Sequence, residues 1–443
     1  MSARADVLVI GAGVGGLCAA ARLAHHGRKV IVVETRDRVG GRASTIDVDG
    51  FKVNTGAIAI EYGGVMEETF RLVGAPWDVR VPSPATLFRI KGRDVDLSKG
   101  GWGLLVNGVT KHGARLLDSL GSARRGELPD ERLSTKAWLE KVTSNATLHA
   151  VFRNLCAAIF AVNSDEMPAK AFLTYFMRKG AFRNFGFCPN GTLGLMQGLA
   201  DVVAARGGEV WLESEVQALR VDDGRVRAAT VCRGGAAIEV AADAVISNAG
   251  PARTVALCGR EHFDPAYLAR MDRDLASTAN IVVNVASRVP LLDAPGIVTF
   301  GITRRLCNMA NLTATCPELA PPGWHLYVAY GVPMPAVGDF DEESEVAATL
   351  QDLNDELPDF GEARILSVAV MRGEWPAQRS IAGLDLPRET SLANLWNVGD
   401  GVREYASGGT QACAETARLV VDEVLALEGT AAGDARSATE GTP

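Results

Sequence analysis

Gly11-Ala12-Gly13-Val14-Gly15-Gly16 fits the spacing G-x-G-x-x-G. Such a turn suits a pyrophosphate. Gly11 permits the tight bend, Gly13 lets a phosphate approach the backbone, and Gly16 allows a helix and a strand to pack closely. A helix starting there presents free N–H groups and a partial positive end to the anion. Glu34, eighteen residues after Gly16, puts a carboxylate where ribose hydroxyls can donate to it. The following stretch, Thr35 to Arg42, adds Gly40 and Gly41 for close backbone approach. Arg42 there can form a charge-assisted pair with a diphosphate. These features suit an extended dinucleotide.

The elements needed to hold that turn are legible around it. Asp6 to Ile10 is a short apolar run ending in glycine, Ala19 to Leu23 repeat apolar residues at a helical period, and Val30 to Val33 form a second β-rich run. Strand, turn, helix and strand in this order favour a buried parallel sheet with right-handed crossovers. From about 99 to 180 the pattern is amphipathic and helical. Strand signals return between 186 and 257, with Asp223-Gly224 as a hairpin turn. Residues 276–375 hold further strand candidates and a helical stretch near 343–356. Residues 394–398 read as a final strand, 409–427 as a final helix, and 429–443 as a small, polar, structureless tail. The reading is α/β: a doubly wound, Rossmann-like domain from 1–85, 186–275 and 391–428, with an α+β substrate domain from 86–185 and 276–390.

The stretch Glu34-Thr35-Arg36-Asp37-Arg38-Val39-Gly40-Gly41-Arg42 resembles the matching segment of the flavin-dependent amine oxidase and phytoene desaturase-like superfamily. Val53 to Ala57, 189–216, Ser247 to Pro251 and 394–420 are similar to further segments of that family. The resemblance implies an amine oxidase-like architecture and non-covalent FAD. It places Glu34 on the adenosine ribose, Arg36 beside the adenine and Arg42 near the pyrophosphate and flavin. Gly56 and Ala57 would lie under the flavin, with Asn54 where the family usually has aspartate. The backbone of Val216 would meet the adenine, and Gly399 and Asp400 the ribityl–phosphate chain. Gly408 to Gln411, including Gly409 and Thr410, would meet the isoalloxazine edge. A helix starting near Gly409 would aim its positive end at the flavin O2 region.

The family chemistry is oxidative: a C–H held against the flavin gives a hydride to N5, and the protein supplies orientation and electrostatics. Desaturation of a small hydrophobic or alicyclic substrate is the favoured reading. The alternatives are amine oxidation to an imine, and a flavin-bound isomerase without net redox. Gly409 stands where amine oxidases carry the later ring of an aromatic pair, though Tyr405 lies nearby in sequence. Tyr405 and Trp375 are the candidates for lining the substrate pocket, and Arg403 for holding a substrate carboxylate. The second electron acceptor is left open among oxygen, a quinone and a carrier protein.

Composition narrows the partners. The chain has 443 residues with 45 Lys+Arg against 53 Asp+Glu, without the basic excess of a general nucleic-acid binder. Its eight cysteines include no C-x-x-C pair and its six histidines no H-E-x-x-H. Reduced thiols and no metal are expected. Cys413 falls inside the final helix, away from the loop beside the flavin, which speaks against covalent attachment. No secretory signal is apparent, and the reading is cytoplasmic. Trp102, Leu104, Leu105, Val106 and Val109 could form a peripheral membrane patch, but a core-facing helix stripe is favoured.

Overall fold

The computed structural model describes residues 2–96, 119–123, 125–177 and 185–439. Two sheets of seven strands organise them. In the first, strand Ser2–Ile10 lies between Val30–Val33 and Ala236–Ser247, parallel to both. Glu209–Trp211 extends one side in parallel, and Leu395–Asn397 pairs in parallel with the end of Ala236–Ser247. Ser214–Asp222 and Arg225–Arg233 complete an antiparallel meander at the other edge. Its turn is Asp223-Gly224, both at positive φ (49° and 67°), as a two-residue hairpin requires.

Apolar runs fit this sheet because both of its faces are covered. Val7 and Val9 enter one core with Leu17 and Leu23 of helix Val14–His25. Leu8 and Ile10, pointing the opposite way, enter another with Val231 and Val255. Helix Gly191–Ala205 and the final helix, Gly409–Thr439, join the first of these cores through residues such as Leu199 and Val420. The final helix runs well past 427, so 429–439 are helical where a structureless tail was expected. Four alanines between 431 and 438 favour continuation, since alanine has the highest helix propensity.

The second sheet runs Arg364–Met371, Asn280–Ser287, His325–Gly331, Leu306–Asn311, Ile297–Phe300, Thr86–Ile90, Arg93–Val95. Its strands are antiparallel except where Thr86–Ile90 pairs in parallel with Ile297–Phe300. Helices Thr135–Val142, Ala146–Phe160 and Ala169–Met177 form one core with Phe88 beside this sheet, and helix Glu342–Glu356 packs on it through Leu353. The starts are capped: Ser134 accepts from Ala137 N at 3.1 Å and Asn145 from Leu148 N at 3.1 Å, supplying partners to otherwise unpaired N–H groups. The apolar stripe 102–109 lies outside the described residues. Among the described residues no helix is long and apolar enough to cross a membrane.

Candidate functional site

The glycine turn follows directly from strand Ser2–Ile10. Gly11 adopts φ 91°, and its N–H donates to Val33 O at 2.8 Å. A Cβ on Gly16 would lie 2.0 Å from Gly11 O, and one on Gly13 would lie 2.5 Å from Asn248 Nδ2. The turn is therefore closed from within by Gly16 and from outside by the loop after Ala236–Ser247. Glu34 is buried; its carboxylate accepts from Ala12 N at 2.8 Å and Arg36 N at 2.9 Å. It thus braces the turn as well as facing the cavity.

Arg42 joins the beginning and end of the chain. Its guanidinium donates to both carboxylate oxygens of Asp400, at 2.7 and 2.6 Å, and to Ala377 O at 2.9 Å. Burial disfavours the charge of Arg42, but Asp400 outweighs this and holds it above its ordinary pKa. Burial likewise works against ionised Asp400, yet Arg42, with Arg379 and Arg403, holds its carboxyl well below the usual range. Arg42 O accepts from Ala57 N at 2.9 Å, and a Cβ on Gly56 would lie 2.2 Å from that oxygen. The Gly56-Ala57 segment is thereby docked against Arg42.

These elements wall a cavity of about 640 Å³. Its lining includes Gly11, Gly13, Glu34, Arg36, Gly41 and Arg42, then Gly56, Ala57, Val216, Asp400, Gly409 and Thr410. Gly16 and Gly399 stand behind the surface, where a Cβ on Gly399 would lie 2.8 Å from Asn248 Oδ1. Its elongated set of donors and cations fits an extended dinucleotide. The glycines at the turn supply close backbone approach.

The three residues expected on the substrate side differ in where they stand. Tyr405 does not line this cavity; it stands in a separate depression with Arg270 and Arg388, its ring 5.6 Å from Lys170 Nζ. The bend after Arg403 turns it there. Arg403 reaches the cavity wall, but its side chain is fully buried and committed. It pairs with Asp385 at 2.9 Å, donates to Ser380 O at 2.7 Å, and bonds Gln378. Holding a substrate carboxylate would mean breaking that network. Trp375 does line the cavity, but the Arg36 guanidinium stacks on its ring at 3.8 Å, placing it with the Glu34–Arg36 end.

Cys413 falls within the final helix, as expected, and it also lines the cavity. Burial pushes its thiol up to about 12, so it is protonated and a poor nucleophile near neutral pH. Two residues escaped the sequence reading. Glu61 accepts from Thr410 N at 3.1 Å and from the Thr410 hydroxyl, seating a carboxylate on the start of the final helix. Burial raises its pKa. A Cβ on Gly409 would come within 1.5 Å of Glu61 Oε1, so glycine is required there. The available signal was one acidic residue interrupting the apolar run 57–60. Arg379 is the second, marked in sequence by its position just after Trp375.

The comparisons with known proteins agree with this geometry. The model of a family described as flavin containing amine oxidoreductase matches residues 14–425. A phytoene dehydrogenase of Streptomyces griseus is 27% identical over 436 aligned positions, covering 85% of this chain and 84% of that protein. A zeta-carotene-forming phytoene desaturase of Myxococcus xanthus is 47% identical over 83 residues, which are 19% of this chain and 15% of the relative. A solved oxidoreductase from Methanosarcina mazei superposes with a TM-score of 0.83 at 27% identity, covering 94% of this chain and 99% of that one.

Proposed function

The chain belongs to the flavin-containing amine oxidoreductase family and is an FAD-dependent oxidoreductase; on that premise we propose that it is a desaturase or dehydrogenase forming C=C in a small hydrophobic or alicyclic substrate. When bound, FAD supplies a two-electron acceptor at its N5 position. The observation that carries the reading is the cavity wall shared by Gly408 and Gly409. Ala157, Ala158, Ile159, Ala161 and Val332 line the same cavity, an environment that recruits apolar surface and keeps water out. Neither position expected to supply an aromatic pair does so: Gly409 has no ring, and Tyr405 stands outside. The names of the phytoene dehydrogenase and desaturase relatives support carbon–carbon over carbon–nitrogen chemistry.

Glu34 and Arg36 would hold the adenosine end, the glycine turn the diphosphate, and Gly409 and Thr410 the flavin edge. Retention of the cofactor is non-covalent in this reading, because the Cys413 thiol stays protonated. Turnover requires a second acceptor: oxygen, a quinone or a carrier protein. Anaerobic mixing of the holoenzyme with a panel of polyenes, alicyclic alkenes and primary amines tests the proposal. The expected result is loss of visible flavin absorbance with an apolar substrate, and a product lighter by two hydrogens. Bleaching by amines alone would overturn it, and conversion without bleaching or mass change would indicate an isomerase.

A further inference from the structure

The arginines beside the phosphate-binding turn are not all paired. Arg42 is paired in bidentate fashion with Asp400, and Arg403 with Asp385. Arg379 lines the same cavity, but its guanidinium has no hydrogen-bond or ion-pair partner among the described residues. Its backbone N–H donates to Asp400 Oδ2 at 2.9 Å, which fixes the main chain and leaves the side-chain fork free. Of these three arginines, Arg379 alone keeps an open guanidinium fork among the described residues. Burial and repulsion from Arg42 act against the charge on Arg379, while Asp400 and Glu374 favour it from beyond ion-pair distance. Arginine does not escape by losing its proton, so the open fork stays a cationic donor available to an anion in the cavity.

Position says which anion. The Arg379 side chain lies over Gly250: a Cβ there would come 2.6 Å from Arg379 Cδ and 3.1 Å from Nη1. Gly250 belongs to the loop whose Asn248 presses on Gly13 and Gly15 of the glycine turn. The open guanidinium thus lies against the loop that packs on the glycine turn. Arg42, by contrast, has its fork occupied by Asp400 and two carbonyl oxygens, those of Pro376 and Ala377.

We propose that Arg379 is the direct cationic ligand of the cofactor's pyrophosphate, and that Arg42 is a positioning residue that orders Asp400, and through it the backbone of Arg379. The proposal rests on the FAD reading above. It transfers to Arg379 the contact that the sequence assigned to Arg42. Gly250, with no side chain, gives Arg379 room to lie flat against the loop.

Apo-protein and its Arg379→Gln and Arg379→Lys variants are titrated with FAD, ADP, adenosine and riboflavin, and melted without ligand. Charged hydrogen bonds of this kind correspond to about 10- to 100-fold in affinity. Arg379→Gln is expected to weaken FAD and ADP by that factor and to leave adenosine and riboflavin unchanged. Lysine is expected to restore part of the loss. The melting temperature of the unliganded glutamine variant should stay close to that of wild type, because the Arg379 guanidinium makes no hydrogen bond or ion pair among the described residues. Undiminished ADP binding or an equal loss for adenosine would overturn the proposal. Wild type that binds ADP but not FAD would overturn the flavin reading and leave the phosphate contact measurable; wild type that binds neither would overturn both.

Discussion

Asp400→Asn is the sharpest structural perturbation available. Asp400 is 10% exposed at its side chain and holds Arg42 through two charged hydrogen bonds. Neutralising one partner strands the other in a poorly solvated wall, a change that typically costs about 3–5 kcal/mol. The N–H of Arg379 also loses a charged acceptor. At about 2.1 cal/mol/K per residue, unfolding 443 residues as one cooperative unit carries about 0.9 kcal/mol/K. The expected drop in apo-protein Tm is therefore about 3–5 °C. Asp400 has a depressed pKa, so its contribution is present above the unfolded carboxylate value near 3.9 and is lost as pH falls through its lower folded value. The difference between variant and wild type should thus stay constant from mildly acidic to neutral pH. Calorimetry on Asp400→Asn, Arg42→Met and the double variant Arg42→Met/Asp400→Asn provides the check. The double variant should lose less than either single one, since no partner is stranded. A shift below about 1 °C for Asp400→Asn, or strict additivity in the double variant, would refute the reasoning.

Three other outcomes are expected. Glu61 has a raised pKa, so above 4.5 the unfolded chain ionises first, and stability declines with rising pH until the folded carboxyl also ionises. Glu61→Gln should flatten that decline in a series of melts, and parallel profiles would contradict it. Arg403→Ala strands Asp385 and should cost about 3–5 kcal/mol with no rise in KM among the molecules that remain folded; a raised KM in a stable variant would restore the substrate-carboxylate role. Tyr405→Phe should leave kcat/KM unchanged in steady-state assays, because the ring stands outside the cavity, and a marked loss would show that it reaches substrate.

The parts legible in sequence were those fixed by local chemistry. The glycine turn, the strand Val30–Val33 and the Asp223-Gly224 hairpin depend on neighbours in the chain, so residue type and spacing reveal them. Arg42 could be seen as a cation near the nucleotide, but its partner lies 358 residues away, and no periodicity reports that distance. Arg403 and Tyr405 lie two residues apart and share one depression, yet Arg403 is held in a buried network that reaches the cavity wall and Tyr405 does not reach it. Sequence proximity to a cofactor motif says little about which way a side chain turns. Glu61 was hidden by the opposite problem: its role appears only when the start of the final helix is brought against it.

The most direct measurement is flavin stoichiometry. Protein purified after expression with excess riboflavin, or reconstituted from apo-protein with FAD, should carry one FAD per chain. Denaturation should release all of it as free, unmodified FAD into the supernatant. Protein that is colourless as isolated and takes up no FAD at saturating concentration would contradict the convergence of these three segments on one cofactor.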